Sequence, residues 1–287
     1  MRSWKLGRAF GIGLFVHWTF LLVPALVLFL GRHNGLESAV LDVGVVLAVF
    51  GCVLLHELGH ALAARGFGIG TRDITLYPIG GVARLERMSD HPGEEVVIAV
   101  AGPLVNVVIA AGLWFGLRLF HLAPSTDALL YGSLGEQFVM KLLASNILLV
   151  AFNLIPAFPM DGGRVLRALL AIGFGQLRAT QMAVGVAKVF ALLFFVGALL
   201  MGAPTLALIA FMLPFAGRQE LAMVEARHYH GYGRDEVLTA RPLPEPYATA
   251  RPADPDFTGF TFDRATNTWV QWHRGRPTGA CSVGEYR

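Results

Sequence analysis

Long runs of apolar residues dominate the chain and alternate with short polar connections. A helix needs about 20 apolar residues to cross about 30 Å of hydrocarbon. Five runs reach that length, and a sixth, after a turn at Gly202-Ala203-Pro204, is shorter. The pattern predicts an all-α polytopic membrane protein with about six transmembrane helices, the sixth short or only partly inserted. The six windows are residues 11–31, 38–64, 95–120, 135–157, 181–201 and 204–217.

One connection, residues 66–92, has a different pattern because its apolar positions alternate with polar ones. Its stretch TRDITLYPIGGVARLE places Pro78 and Gly80-Gly81 between two alternating segments. Alternation on both sides of a turn predicts a β-hairpin. We expect this hairpin to lie against, or dip into, the membrane face between the second and third helices. The alternative is an ordinary hairpin in the cytosol.

The pattern changes again after Gly217. Residues 218–235 are polar and can continue as a helix, whereas residues 240–256 contain five prolines and are typical of a linker. The stretch FTFDRATNTWVQW predicts two short strands around a turn. We therefore divide the chain into a transmembrane core (1–217), a polar and proline-rich linker (218–256) and a short cytosolic segment with a possible β-hairpin (257–287).

Composition agrees with a membrane protein. Apolar residues make up 55% of the chain and charged residues only 15%, against about a quarter in soluble domains. The net charge of +3 is spread along the chain, so we expect no nucleic-acid partner. The first apolar run lacks the cleavage site of a signal peptide. Cys52 and Cys281 do not make a disulfide framework.

The positions of Lys and Arg predict the orientation in the membrane. Basic residues cluster before the first window, between the second and third, between the fourth and fifth, and after the sixth. Short cytoplasmic loops carry the excess of basic residues in membrane proteins. We therefore expect both termini, and the hairpin, on the cytoplasmic side.

The stretch VLLHELGHALAAR places three ionisable residues inside an apolar window. His56 and His60 are four residues apart, so a helix puts both on one face, where they can bind one metal ion. Glu57 can then act as a general base beside the ion, the arrangement of an HExxH motif. Ionisable groups in a span cost about 2.5–3.5 kcal/mol each on insertion scales, so a chance match is a poor explanation.

A catalytic zinc site needs a third protein ligand. The candidates are Asp161, Glu94, His91 and His17. Asp161 is best placed because it follows the fourth window, in a segment that Pro156 and Pro159 keep from forming a regular helix. A plain helix N-cap is the alternative for Asp161. For His17 we favour a hydrogen bond between helices over metal binding.

Together these motifs resemble the site-2 protease family of intramembrane zinc metalloproteases. The resemblance rests on HELGH, PIGGVARLE, AGPLVN (101–106) and NLIPAFPMDGG (153–163), in that order, and covers roughly residues 10–215. It implies one Zn²⁺ per chain, regulated intramembrane proteolysis, a single-span membrane protein as substrate, and a bacterial cytoplasmic membrane as location.

The resemblance also implies a role for individual residues. His56, His60 and Asp161 would bind zinc, and Glu57 would be the general base. Asn153 would hold the substrate or the oxyanion, although an ordinary contact between helices is the alternative. Three further positions are placed with the substrate: Gly80 and Gly81, on a hairpin that pairs with an extended substrate, and Asn106, which matches the third-span motif.

We expect no PDZ or CBS domain in this chain, and we consider two alternative functions. The exterior loops are too short for a PDZ domain, and the tail is too short for a pair of CBS domains. The alternative functions are a metal transporter or metal sensor, and an inactive protease homologue that binds membrane partners. An intact Glu57 argues against the inactive homologue. The sequence leaves the oligomeric state open.

Overall fold

The computed structural model describes residues 3–87, 89, 91–122, 125, 128, 132–238, 252, 254–264 and 268–282. The chain contacts divide it into two units, Met1–Ala222 and Met223–Arg287. The boundary predicted at 217/218 stays a prediction. The α-helices described over their full length are α1 (Leu22–Gly31), α2 (Leu36–Gly66), α3 (Pro92–Leu119), α4 (Leu134–Asn153), α5 (Asp161–Phe174), α6 (Gln176–Met201) and α7 (Pro204–Leu238).

Five of these helices are long and apolar enough to cross a membrane. They are α2, α3, α4, α6 and the part of α7 from Pro204 to Ala226. The chain is therefore a polytopic, mostly helical membrane protein. The predicted windows from 38 to 201 coincide with α2, α3, α4 and α6.

The two remaining windows differ from the prediction. Residues 12–17 of the first window form a strand, and only the ten residues of α1 are α-helical, so no 20-residue helix covers 11–31. A short apolar run can be a buried strand as easily as a helix, and hydropathy alone does not separate them. The last window, expected to be short, is the start of the 35-residue α7, which confirms the polar helical continuation.

A four-stranded sheet corrects the all-α prediction. It contains β1 (Ser3–Ala9), β2 (Ile12–His17), β3 (Thr71–Tyr77) and β4 (Gly80–Leu85), in that order across the sheet. The predicted hairpin is β3 and β4, with Tyr77 opposite Gly80. Strand β2 runs parallel to β3 and antiparallel to β1. Among the described residues, no strand pairs with the outer edge of β4.

The sheet packs against α2 close to the HELGH stretch. Ile12 and Ile74 contact Leu58 and Ala61 in one buried cluster. Arg65, at the end of α2, donates to the carbonyl of Phe10 at 3.1 Å. These contacts hold the hairpin beside the helix that carries both histidines.

An ion-pair cluster fastens α5 to two other helices. Arg167 on α5 is buried, with its side chain 2% exposed, and pairs with Glu95 of α3 and Glu220 of α7. Its guanidinium also lies over the Phe158 ring at 5.3 Å. Buried charges need such partners because their desolvation is costly.

The second unit contains a three-stranded antiparallel sheet. Its strands are β5 (Gly259–Asp263), β6 (Thr268–His273) and β7 (Arg276–Ser282). The two predicted strands are confirmed, and the third was missed because RPTGACS carries Pro and Gly and lacks an alternating apolar pattern. Val270 and Trp272 form its small core with Phe257. Residues 239–251 and 253 of the predicted linker, and turn residues 265–267, lie outside the described residues.

Candidate active site and metal centre

Helix α2 brings its two histidines together, as the four-residue spacing predicts. Both are buried, and their Nε2 atoms lie 3.0 Å apart. The two rings meet edge to face with centroids 4.7 Å apart. The same face of α2 therefore directs two ring nitrogens at one point.

Asp161 reaches that point from the first residue of α5. Its Oδ2 lies 3.1 Å from Nε2 of His56 and 3.2 Å from Nε2 of His60. The helix N-cap is Met160, so the alternative of Asp161 as N-cap is wrong. Gly162 lets the irregular segment 154–160 fold back closely, because a Cβ there would lie 2.4 Å from the carbonyl oxygens of Leu154 and Ile155.

The hydrogen-bond partners of the two Nδ1 atoms show which ring nitrogens are free to bind a cation. Nδ1 of His60 lies 2.6 Å from the carbonyl of Ile98, and Nδ1 of His56 lies 2.6 Å from Oδ1 of Asn106. Both partners are acceptors, so each Nδ1 carries the hydrogen and each Nε2 carries a lone pair. Three acceptor atoms thus face one another within about 3 Å, an arrangement that a shared metal cation would stabilise. Two imidazoles and a carboxylate suit zinc.

Gly102 on α3 keeps space beside these atoms. A Cβ at this position would lie 2.2 Å from Nε2 of His60 and 2.7 Å from Nε2 of His56. Gly102 is part of the AGPLVN motif, but the motif alone does not distinguish this glycine as part of the site. Gly102 matters because α3 packs over the histidines, and the sequence motif does not indicate which helix does so.

Glu57 lies between the histidines and the hairpin. A Cβ at Gly81 would lie 2.6 Å from Cγ and 3.3 Å from Oε1 of Glu57, so β4 passes directly over this side chain. Glu57 is half-buried. Gly59 allows α2 to approach α3 closely, because a Cβ there would lie 2.8 Å from the carbonyl oxygen of Ala101.

The other candidate ligands lie elsewhere. Among the described residues, only His56, His60 and Asp161 form a cluster with metal-ligand spacing. Glu94 accepts from the hydroxyl of Ser89 at 2.6 Å, and His91 is the N-cap residue of α3. His17 ends β2, bonds the hydroxyl of Thr19 and stacks on Tyr77. The expected bond of His17 between two helices is therefore wrong, because the residue is not in a helix.

The two predicted asparagines have different surroundings. Asn106 is fully buried and bonds His56 on one side and Asn146 on the other. This geometry supports a role in orienting the metal ligand His56, and the substrate contact expected for Asn106 stays a prediction. Asn153 is half-buried, and its amide donates to the carbonyl of Leu149 at 2.9 Å. Among these described side chains, no hydrogen bond joins Asn153 to the metal ligands.

A helical membrane protein with an HExxH helix, a third carboxylate ligand and an adjoining hairpin belongs to the class of membrane metalloproteases. The chain is a member of Peptidase family M50, whose model matches residues 44–133 and 126–197.

Named relatives and a solved structure agree with this family. The zinc metalloprotease MJ0392 of Methanocaldococcus jannaschii is 32% identical over 98% of this chain and 78% of its own length. The stage IV sporulation protein FB of Bacillus subtilis is 30% identical over 42% of this chain and 38% of its own. The structure of a site-2 protease from M. jannaschii matches with a TM-score of 0.56 and 32% identity, covering 77% of this chain and 95% of that one.

These findings define the activity. The protein is an intramembrane zinc metalloprotease of the site-2 type. They support neither a metal transporter or sensor nor an inactive homologue.

Proposed function

We propose that the protein cleaves a single-span membrane protein at a segment that unwinds and pairs with β4. The observation that carries the proposal is the position of Glu57, which adjoins the metal ligand His56 in sequence and contacts β4 at Gly81. A peptide on the outer edge of β4 would therefore run close to the general base. No other strand occupies that edge among the described residues.

This placement supports a general-base role for Glu57. When bound, zinc supplies a Lewis acid that polarises the scissile carbonyl and lowers the pKa of a water molecule. The Glu57 carboxylate takes a proton from the attacking water and delivers it to the leaving amine. His56, His60 and Asp161 would hold the ion, and the carbonyl of Ile98 and the amide of Asn106 hold the two rings.

Pairing with β4 solves the problem of an unwound substrate. A transmembrane helix hides its peptide bonds, and its freed N–H and C=O groups need partners in the membrane. Addition of a strand to a sheet edge supplies those partners. Gly80 and Gly81 leave that strand without side chains beside Glu57. The NH₂ group of Asn153 has a second hydrogen besides the one that bonds the carbonyl of Leu149, and this hydrogen would serve the oxyanion or the substrate.

The orientation belongs to the same proposal. The basic residues that precede β2, end α2 and follow the spans support a cytoplasmic position for the sheet and both termini. The membrane we expect is a bacterial inner membrane. The sheet would then lie where an unwound segment can meet water.

The test compares cells that carry the wild-type protein or Glu57→Gln. We expect a small set of single-span fragments to accumulate only in Glu57→Gln membranes, as measured by quantitative membrane proteomics. Glu37→Gln is the matched control, because Glu37 is exposed in the first turn of the same helix. Cleavage of these proteins by Glu57→Gln at the wild-type rate would overturn the general-base assignment.

A further inference from the structure

A pair of buried asparagines continues the hydrogen bond of His56 toward α4. The amide nitrogen of Asn106 donates to Oδ1 of Asn146 at 2.9 Å. The amide nitrogen of Asn146 donates to the carbonyl of Leu142, one turn earlier on α4, also at 2.9 Å, and lies 3.4 Å from Sγ of Cys52. Both asparagines are fully buried. Through these bonds Asn146 touches none of the three metal ligands directly and does not contact Glu57.

These bonds have one direction, which a backbone carbonyl sets. A carbonyl only accepts, so the end of Asn146 that faces Leu142 is its NH₂ group. Oδ1 of Asn146 therefore faces Asn106 and accepts from it. This fixes the NH₂ group of Asn106, and Oδ1 of Asn106 then faces His56. Nδ1 of His56 must donate, which leaves the lone pair of Nε2 for the metal.

The reverse arrangement would prevent metal binding. If the Asn106 amide turned over, its NH₂ group would face Nδ1 of His56, and the ring would carry its hydrogen on Nε2. That hydrogen would point at the other two ligand atoms. The two ends of an amide are nearly equal in shape, so packing alone does not choose between them, whereas a hydrogen-bond partner does.

His60 needs no such relay. Its Nδ1 lies 2.6 Å from the carbonyl of Ile98, a partner that cannot be inverted. His56 instead bonds the side-chain amide of Asn106, whose two ends can exchange places. The nearest backbone carbonyl that fixes this amide is that of Leu142, reached through Asn106 and Asn146.

We propose that Asn146 is a positioning residue for the metal ligand His56. It acts through Asn106, whose orientation it sets, and it touches neither the ion nor the substrate. The proposal rests on the zinc-protease function of the site and deepens it. Metal-affinity measurements test it without proteolysis, so its failure and that of the substrate proposal are distinguishable.

The test uses two variants, Asn146→Thr and Asn146→Val, whose new side chains have nearly the same shape as each other. A threonine hydroxyl can donate to the carbonyl four residues earlier and accept from Asn106, whereas valine can do neither. The purified full chain is titrated with zinc against a chromophoric chelator, and with Co²⁺ to record its visible spectrum. We expect Asn146→Val to bind zinc about 10-fold or more weakly, the usual loss when a ligand's partner is removed, and to alter the cobalt spectrum.

Asn146→Thr is expected to retain most of the zinc affinity and the wild-type cobalt spectrum. The control is Lys141→Met, since Lys141 on α4 bonds Asp42 on α2 at 2.6 Å and so joins the same two helices without leading to the metal ligands. We expect it to leave both readings unchanged. Equal zinc affinities for the Val and Thr variants, or an equal loss for Lys141→Met, would overturn the proposal.

Discussion

Substitution of Gly102 by alanine tests the metal centre with one methyl group. The new Cβ would lie 2.2 Å from Nε2 of His60, 1.2 Å inside the 3.4 Å at which ordinary contacts begin, and 2.7 Å from Nε2 of His56. Zinc–nitrogen bonds vary by only about 0.2 Å around their usual length of about 2.0–2.1 Å. Rings displaced by about an ångström therefore cannot both remain ligands.

We expect Gly102→Ala to weaken zinc binding by at least about 100-fold, the upper end of the loss caused by disturbing a ligand's surroundings. The assay measures zinc per chain after dialysis against a chelator series, with helix content followed by circular dichroism. Gly112→Ala is the control, because Gly112 is on the same helix and a Cβ there meets nothing within 4 Å. Wild-type zinc affinity in Gly102→Ala would refute the placement of α3 over the histidines.

Two further substitutions separate the chemistry from the fold. Gly81→Val should abolish proteolysis while zinc stays bound, because the new side chain would displace Glu57. The control Val82→Ala, at an exposed neighbouring position, should keep both proteolysis and bound zinc. A peptide-cleavage assay and a zinc-content assay measure the two properties. Arg167→Met should lower stability by about 3 kcal/mol, since it leaves two half-buried carboxylates without their partner. Thermal unfolding in detergent measures the loss, with Arg178→Met as the control because Arg178 is exposed. Equal melting temperatures for the Arg167→Met and Arg178→Met variants would contradict the prediction.

Local chemistry made part of the site predictable. The four-residue spacing of His56 and His60 places both rings on one helical face whatever surrounds the helix. The alternating pattern around Pro78 is likewise a short-range signal, and the hairpin is present. The long apolar windows from 38 to 201 were predictable because bilayer thickness sets their length.

The first window shows where that reasoning stops. Residues 12–17 are as apolar as a helix would require, yet they pair with β3, more than 50 residues later in the chain. An apolar run indicates that a segment is buried, but it does not indicate whether the backbone hydrogen bonds form within a helix or between strands.

Tertiary structure decided the rest of the site. Asp161 meets His56 across 105 residues, and Gly102 faces both histidines from another helix. The orientation of His56 depends on two buried asparagines on two further helices. The sequence by itself determined that His56 and His60 can share one zinc ion, because ligand chemistry and helical spacing are local. Which residues make room for the ion and orient its ligands was decided only when the helices packed, since those contacts join positions far apart in the chain.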